Sequence, residues 1–198
     1  MKIMRSGLWL VCALAMSGCL AAAVGAGSET AAVIAQERSV GNAVDDAGIL
    51  LRIKHLYAKT DYKDLLANVE IKSVEGRVLL TGNVDKPESQ IEAVRLAWTV
   101  DHVSEVINEI QINDQSGFWN YTRDVWISTQ IRARLIATKG IRSINFSVIT
   151  VNQVVYVMGI AQDQLELDKV TYVASTTNYV QRVVSYARLK DDPARKVP

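Results

Sequence analysis

Val69-Glu70-Ile71-Lys72-Ser73-Val74-Glu75-Gly76-Arg77-Val78-Leu79-Leu80-Thr81-Gly82 lies over Phe146-Ser147-Val148-Ile149-Thr150-Val151-Asn152-Gln153-Val154-Val155-Tyr156-Val157-Met158-Gly159 at an offset of 77. Each stretch has alternating apolar positions, a two-residue polar centre, a second alternating run and a terminal glycine. That order predicts a β-hairpin in each copy. Glu75-Gly76 suits the turn better than Asn152-Gln153, although asparagine tolerates positive φ.

The offset persists downstream. Ala93, Leu96, Ala97, Val100 and Val103 match Val170, Val173, Ala174, Thr177 and Val180. The first four of each set are spaced three and four apart, the buried stripe of a helix. A β-rich run follows in each copy, Val106–Ile110 and Val183–Ala187. Upstream, Leu50, Ile53 and Tyr57 mark a further amphipathic helix in the first copy, and Ile127, Ile131 and Leu135 mark one in the second. Each unit is therefore helix, strand, strand, helix, strand. This is an α+β layout in which two helices cover one face of a small three-stranded sheet. Units of 65–70 residues have small cores, so packing of one copy on the other is expected. The boundaries follow as a tether over 19–38, a first unit over 39–114, an aromatic linker over 115–123, a second unit over 124–190 and a tail over 191–198.

Each copy resembles a BON domain, whose hairpin ends in Val-x-Leu-x-Gly. Val78-Leu79-Leu80-Thr81-Gly82 matches that ending well, and Val155-Tyr156-Val157-Met158-Gly159 matches in outline. The loop before the last strand departs from the pattern. Asp101-His102-Val103 and Asn178-Tyr179-Val180 lack the usual glycine, which leaves the geometry of this loop open.

The amino terminus is informative in its own right. Lys2 and Arg5 precede an apolar stretch from Gly7 to Met16, which ends in Met16-Ser17-Gly18-Cys19. A basic start, a short apolar segment and small residues make a secretory signal. The last four residues resemble the lipobox of bacterial lipoproteins, with Met16 in place of the usual leucine. The resemblance implies that residues 1–18 are removed and that Cys19 carries a diacylglyceryl anchor, the new amino terminus being acylated as well in most members. Each buried methylene contributes about 0.8 kcal/mol, so two or three chains hold the protein firmly. A plain secreted protein, with Cys19 only a small residue near the cut, is the alternative. In the lipoproteins this segment resembles, Asp at the second mature position favours inner-membrane retention, so the resemblance with Leu20 there implies the outer membrane, facing the periplasm. The mature chain then has no thiol left for a disulfide or a cysteine metal site, because Cys12 is lost with the signal.

A lipobox with two BON units resembles the dual-BON outer-membrane lipoproteins of the osmotically inducible or division-associated type. That resemblance implies phospholipid binding, a role in keeping the outer membrane intact, and no enzymatic activity.

The net charge of +1 hides an asymmetry. Residues 45–114 hold 8 Lys+Arg and 13 Asp+Glu, and residues 119–190 hold 9 and 4. Opposite signs suggest either different tasks or faces that attract each other. The densest aromatic patch, Phe118-Trp119-Asn120-Tyr121-Thr122-Arg123-Asp124-Val125-Trp126, joins the units. Thr122 reads as the N-cap of the next helix and Asp124 as a first-turn acid suited to its dipole. On a helical wheel Trp126 falls about 140° from the stripe of Ile127, Ile131 and Leu135, beside Thr129 and Ala133. It therefore meets solvent, the other unit or a membrane. We favour the membrane, because tryptophan prefers the interfacial zone and Arg123, Arg132, Arg134 and Arg142 are near in sequence to attract anionic lipid. Phe118 and Trp119 are expected to pack between the units.

No catalytic constellation is visible. His55 and His102 stand at non-matching repeat positions, and neither a nucleophile elbow nor a phosphate-binding glycine loop occurs. Asp45-Asp46 and Asp191-Asp192 read as solvated turn residues. No cofactor, metal or nucleic-acid partner is expected, and the chain reads as a monomer. Two functions remain: a binder of anionic phospholipid acting through the first helix of the second unit, or a membrane-tethered adaptor whose acidic first unit docks an envelope protein.

Overall fold

The computed structural model describes residues 39–113 and 118–195; the side chains of Val40, Phe118 and Trp119 lie outside that description. Cys19 and the tether also lie outside it. Ser39 begins the first unit as an N-cap, its hydroxyl accepting the Asn42 N–H at 3.1 Å. Helix α1 (Val40–Lys59) buries Ile49, Ile53 and Tyr57 at a spacing of four. Leu50, expected on that stripe, lies half-buried at its flank, and Ile49 takes its place. A short helix not anticipated from the pattern, α2 (Asp64–Asn68), buries Leu65 and leads into the hairpin of β1 (Val69–Val74) and β2 (Arg77–Val84). Helix α3 (Pro87–Trp98), with proline at its first turn, and β3 (Glu105–Ile112) complete the unit. Strand β2 is central, antiparallel to β1 and parallel to β3.

The second unit repeats this plan with α4 (Phe118–Ala137), a 3₁₀ turn (Ser143–Asn145), β4 (Phe146–Val151), β5 (Val154–Ala161) and α5 (Gln164–Ser175). Its last strand is split into β6 (Arg182–Ser185) and β7 (Arg188–Leu189), which pair with β5 in one register. The expected strand through Ala187 is thus interrupted at Tyr186-Ala187. Helix α4 also begins at Phe118, ahead of the helix start expected at Thr122. Thr122 is inside the helix rather than its N-cap, because nothing between Phe118 and Thr122 breaks a helix.

Two features explain why the hairpins recur. Both turns use left-handed residues in succession: Glu75 and Gly76 at φ 54° and 75°, Asn152 and Gln153 at φ 49° and 65°. The paired positive φ values match the twist of a two-residue hairpin, but are costly for Glu and Gln. In each unit a buried aspartate from the preceding helix offsets that cost. Asp46 accepts the Glu75 and Gly76 N–H groups at 2.9 and 3.0 Å and the Ser73 hydroxyl at 2.6 Å. Asp124 accepts the Asn152 and Gln153 N–H groups at 2.6 and 3.0 Å. Neither residue is the solvated or dipole-complementing acid expected from sequence: Asp46 sits on α1 and Asp124 in the second turn of α4, both buried.

The terminal glycines are a steric requirement. A Cβ on Gly82, at φ 128°, would stand 1.9 Å from the Asn68 carbonyl oxygen, and one on Gly159 would stand 2.1 Å from that of Asn145. The strand crosses the entry to its partner too closely for any side chain.

The central strands are buried on both faces. Toward the helices, Val78, Leu80 and Val84 pack under α1 and α3, and Val155 and Val157 pack under α4 and α5. The intervening residues point the other way and form a third core. There Leu79 and Ile107 of the first sheet meet Ile149, Val151, Tyr156 and Met158 of the second. The result is helices, sheet, sheet, helices.

Polar contacts rim the sheet–sheet seam. Arg77 donates to Glu105 at 2.6 Å and across the seam to the Tyr186 carbonyl at 2.8 Å. Asn152 donates to Asn83 and Gln111 at 3.0 and 2.7 Å. Arg188 reaches Glu105 at 3.3 Å, and Arg195 binds Glu75 bidentately at 3.0 and 2.8 Å. Acids of the first unit thus face bases of the second, and the supposed tail is docked through Arg195, whose side chain is 3% exposed.

Two outcomes are expected. Asp124→Ala strands two N–H donors in a left-handed turn and should cost about 1–3 kcal/mol in denaturant unfolding. Tyr186 donates its hydroxyl to Glu109 across the seam, and burial first, then that bond, pushes its pKa up to about 12. A raised phenol pKa favours the folded state below the unfolded value of about 10, and that advantage disappears as pH rises through the folded value. Stability should therefore fall between these two pH values, and Tyr186→Phe should lessen the fall without abolishing it, since burial raises the phenols of Tyr57 and Tyr156 as well.

Candidate membrane-contact face

Helix α4 has two unlike sides. Ile127, Ile131 and Leu135 are buried against the second sheet, and Ser128 donates its hydroxyl to Thr150 at 2.8 Å. The opposite side carries Tyr121, Val125, Trp126 and Ile136, exposed by 68%, 46%, 42% and 73%. Thr129 and Ala133 lie exposed between them. The Thr129 hydroxyl donates to the Val125 carbonyl at 2.8 Å, so its polar group is satisfied within the helix. This face is apolar and free of carboxylates over four turns.

Arg123 and Arg134 flank the face, and Arg132 projects from its edge, between the wheel positions of Tyr121 and Val125. Arg132 donates to the Val148 carbonyl at 2.5 Å on the β4 side. On the other flank, Arg134 donates to the Val173 carbonyl and the Thr177 and Thr176 hydroxyls at 2.9, 2.6 and 2.9 Å. Arg123 donates to the Asn120 side chain at 2.7 Å. All these acceptors are neutral, so the three guanidinium charges remain available to attract an anionic surface while their geometry is held by the protein. Arg142 lies beyond the helix, and its N–H is accepted by Glu166.

Among the described residues, Trp126 is not part of the apolar core between the units. The two sheets make that contact, and Trp126 meets Tyr179 of its own unit, ring centroids 5.7 Å apart and edge to face at 72°. Whether Phe118 and Trp119 pack between units falls outside the described side chains. The seam itself is built by residues the sequence reading did not single out. Their signal was present in Val78-Leu79-Leu80 and Val155-Tyr156-Val157-Met158, unbroken apolar runs that mark strands covered on both faces. Ile136, exposed on the same side of the helix, was not singled out for a different reason: an exposed apolar side chain has no sequence pattern of its own.

His55 is exposed on α1, and His102 is exposed in the turn before β3. Among the described residues, no group of His, Cys, Asp and Glu is arranged to hold a metal ion.

Residues 45–114 and 123–191 each match the BON domain family. A protein of Anaplasma centrale, described as an uncharacterized protein in the gshII 5′ region, is 42% identical over 155 residues, covering 77% of this chain and 100% of that one. Outer membrane lipoprotein DolP of Haemophilus influenzae is 27% identical over 176 residues, 89% of this chain and 91% of that one. Osmotically-inducible protein Y of Escherichia coli is 26% identical over 154 residues, 76% of each. The twofold family match follows the same repeat that the hairpins, the capping aspartates and the paired cores display, and the chain belongs to the BON domain family, with two copies of the domain.

Proposed function

We propose that this chain is a non-enzymatic lipoprotein of the bacterial envelope, held at the outer membrane by an acylated Cys19 and facing the periplasm. Its second BON domain lays the outer face of α4 on anionic phospholipid and thereby supports envelope integrity. The observation that carries this reading is the exposed, carboxylate-free apolar face centred on Thr129 and flanked by three arginines. Trp126 and Tyr121 suit the zone between headgroups and acyl chains, and each arginine near an anionic surface adds about 1 kcal/mol. Such a contact is weak alone and becomes effective beside an anchor that raises its local concentration. The similarity to outer membrane lipoprotein DolP supports the location, as does the lipobox.

A second reading concerns the other unit. Val44 and Leu51 on α1 and Ile91 and Trp98 on α3 are exposed on the acidic half, a surface suited to an envelope protein partner. An adaptor of that kind ignores lipid composition.

The unacylated chain 19–198 should float with phosphatidylglycerol vesicles, less so with added salt and little with neutral ones. Trp126→Glu should weaken this by roughly tenfold with circular dichroism unchanged; equal flotation of the two would defeat the membrane reading. Native protein extracted from membranes should carry a diacylglyceryl mass at Cys19, and Cys19→Ser should appear in the soluble fraction. A free thiol at that position would remove the anchor from the account.

A further inference from the structure

Tyr179 occupies a backbone conformation that disfavours it. Its φ is 69°, in the left-handed region where glycine is unstrained and a residue with a Cβ is not. Core packing does not account for the choice, because the side chain is 64% exposed. Its ring contact among the described residues is with Trp126.

The internal repeat supplies a control. The first unit makes the same turn, with His102 at φ 68° in the place of Tyr179. The place of Trp126 on the helix is taken there by Gly48, following the correspondence of Asp46 with Asp124 and Ile49 with Ile127. Both units therefore need the left-handed turn, and only the second builds an aromatic pair over it. The pair is not required by the fold.

It is also held in place. Arg134 ties the segment before Tyr179 to α4 through the Val173 carbonyl and the Thr176 and Thr177 hydroxyls. After it, Gln181 donates its N–H to the Gln153 carbonyl at 3.0 Å. The turn that carries Tyr179 is thus tied to its own unit on both sides, which brings its ring within 5.7 Å of that of Trp126. Neither the indole N–H nor the phenol hydroxyl bonds to another described residue, so both remain open to phosphate and ester oxygens. Two amphipathic rings with free polar tips, beside three arginines, have the chemistry of the headgroup–acyl boundary.

We propose that Tyr179 is a second membrane-contact residue, forming with Trp126 a preset aromatic pair that enters the interface of an anionic phospholipid surface. This rests on the membrane reading of α4 and adds the turn before β6 to the contacting surface. The turn tolerates its strained residue because the ring is needed outside the protein.

The test compares the unacylated chain 19–198 with Tyr179→Gly, Tyr179→His and Trp126→Glu on phosphatidylglycerol vesicles. Tyr179→Gly should bind roughly three- to tenfold more weakly while its Tm stays equal or rises, because glycine relieves the turn. Tyr179→His, which installs the first unit's residue, should lose binding to a similar degree. Wild-type binding by Tyr179→Gly alongside loss in Trp126→Glu would overturn the inference and leave the membrane reading standing. No vesicle binding by the wild type would overturn both. A markedly lowered Tm in Tyr179→Gly would reassign the ring to structure. Concentration-dependent dimers that Tyr179→Gly dissolves, without any vesicle effect, would assign the pair to a protein interface instead.

Discussion

The sheet-to-sheet core constrains everything else in this molecule. A small BON unit buries one face of its sheet under its own helices and leaves the other face apolar. Leu79 and Ile107 on one side and Ile149, Val151, Tyr156 and Met158 on the other resolve that by covering each other. Once both sheet faces are occupied, the outer sides of the helices are the broad surfaces left for function. The position of Trp126 on such a surface follows from this arrangement.

Charge reinforces the seam at its edges rather than creating it. Glu75 with Arg195, and Glu105 with Arg188, cross from the acidic unit to the basic one. The first pair is nearly buried, so its loss would leave an uncompensated charge. The exposed Glu105 pair contributes less. The opposite signs of the two halves therefore have a structural use. The arginines around α4 are different, since their acceptors are carbonyls, hydroxyls and an amide.

The repeat separates what the fold needs from what is specific to one unit. Asp46 and Asp124 hold equivalent turns, Gly82 and Gly159 allow equivalent close approaches, and His102 and Tyr179 adopt equivalent left-handed conformations. Where the copies diverge, the difference lies on the surface. Gly48 gives way to Trp126, and an exposed imidazole gives way to a phenol packed against it. The divergence leaves the shared backbone unchanged, so the fold itself does not require it.

From the sequence alone came the duplicated hairpin, the helix stripes and the α+β class, because periods of 2 and about 3.6 are written directly in apolar spacing. The family resemblance rested on the same residues. The start of α4 was misplaced because aromatic density was read as a linker, and no backbone signal separates the two. Asp46 and Asp124 could not be assigned because their partners lie 27 to 30 residues away. Only the tertiary structure decided which sheet face meets which, where Arg195 docks, and that Trp126 stands beside Tyr179. These are relations between distant residues, and they exist only after burial has brought the chain's parts together.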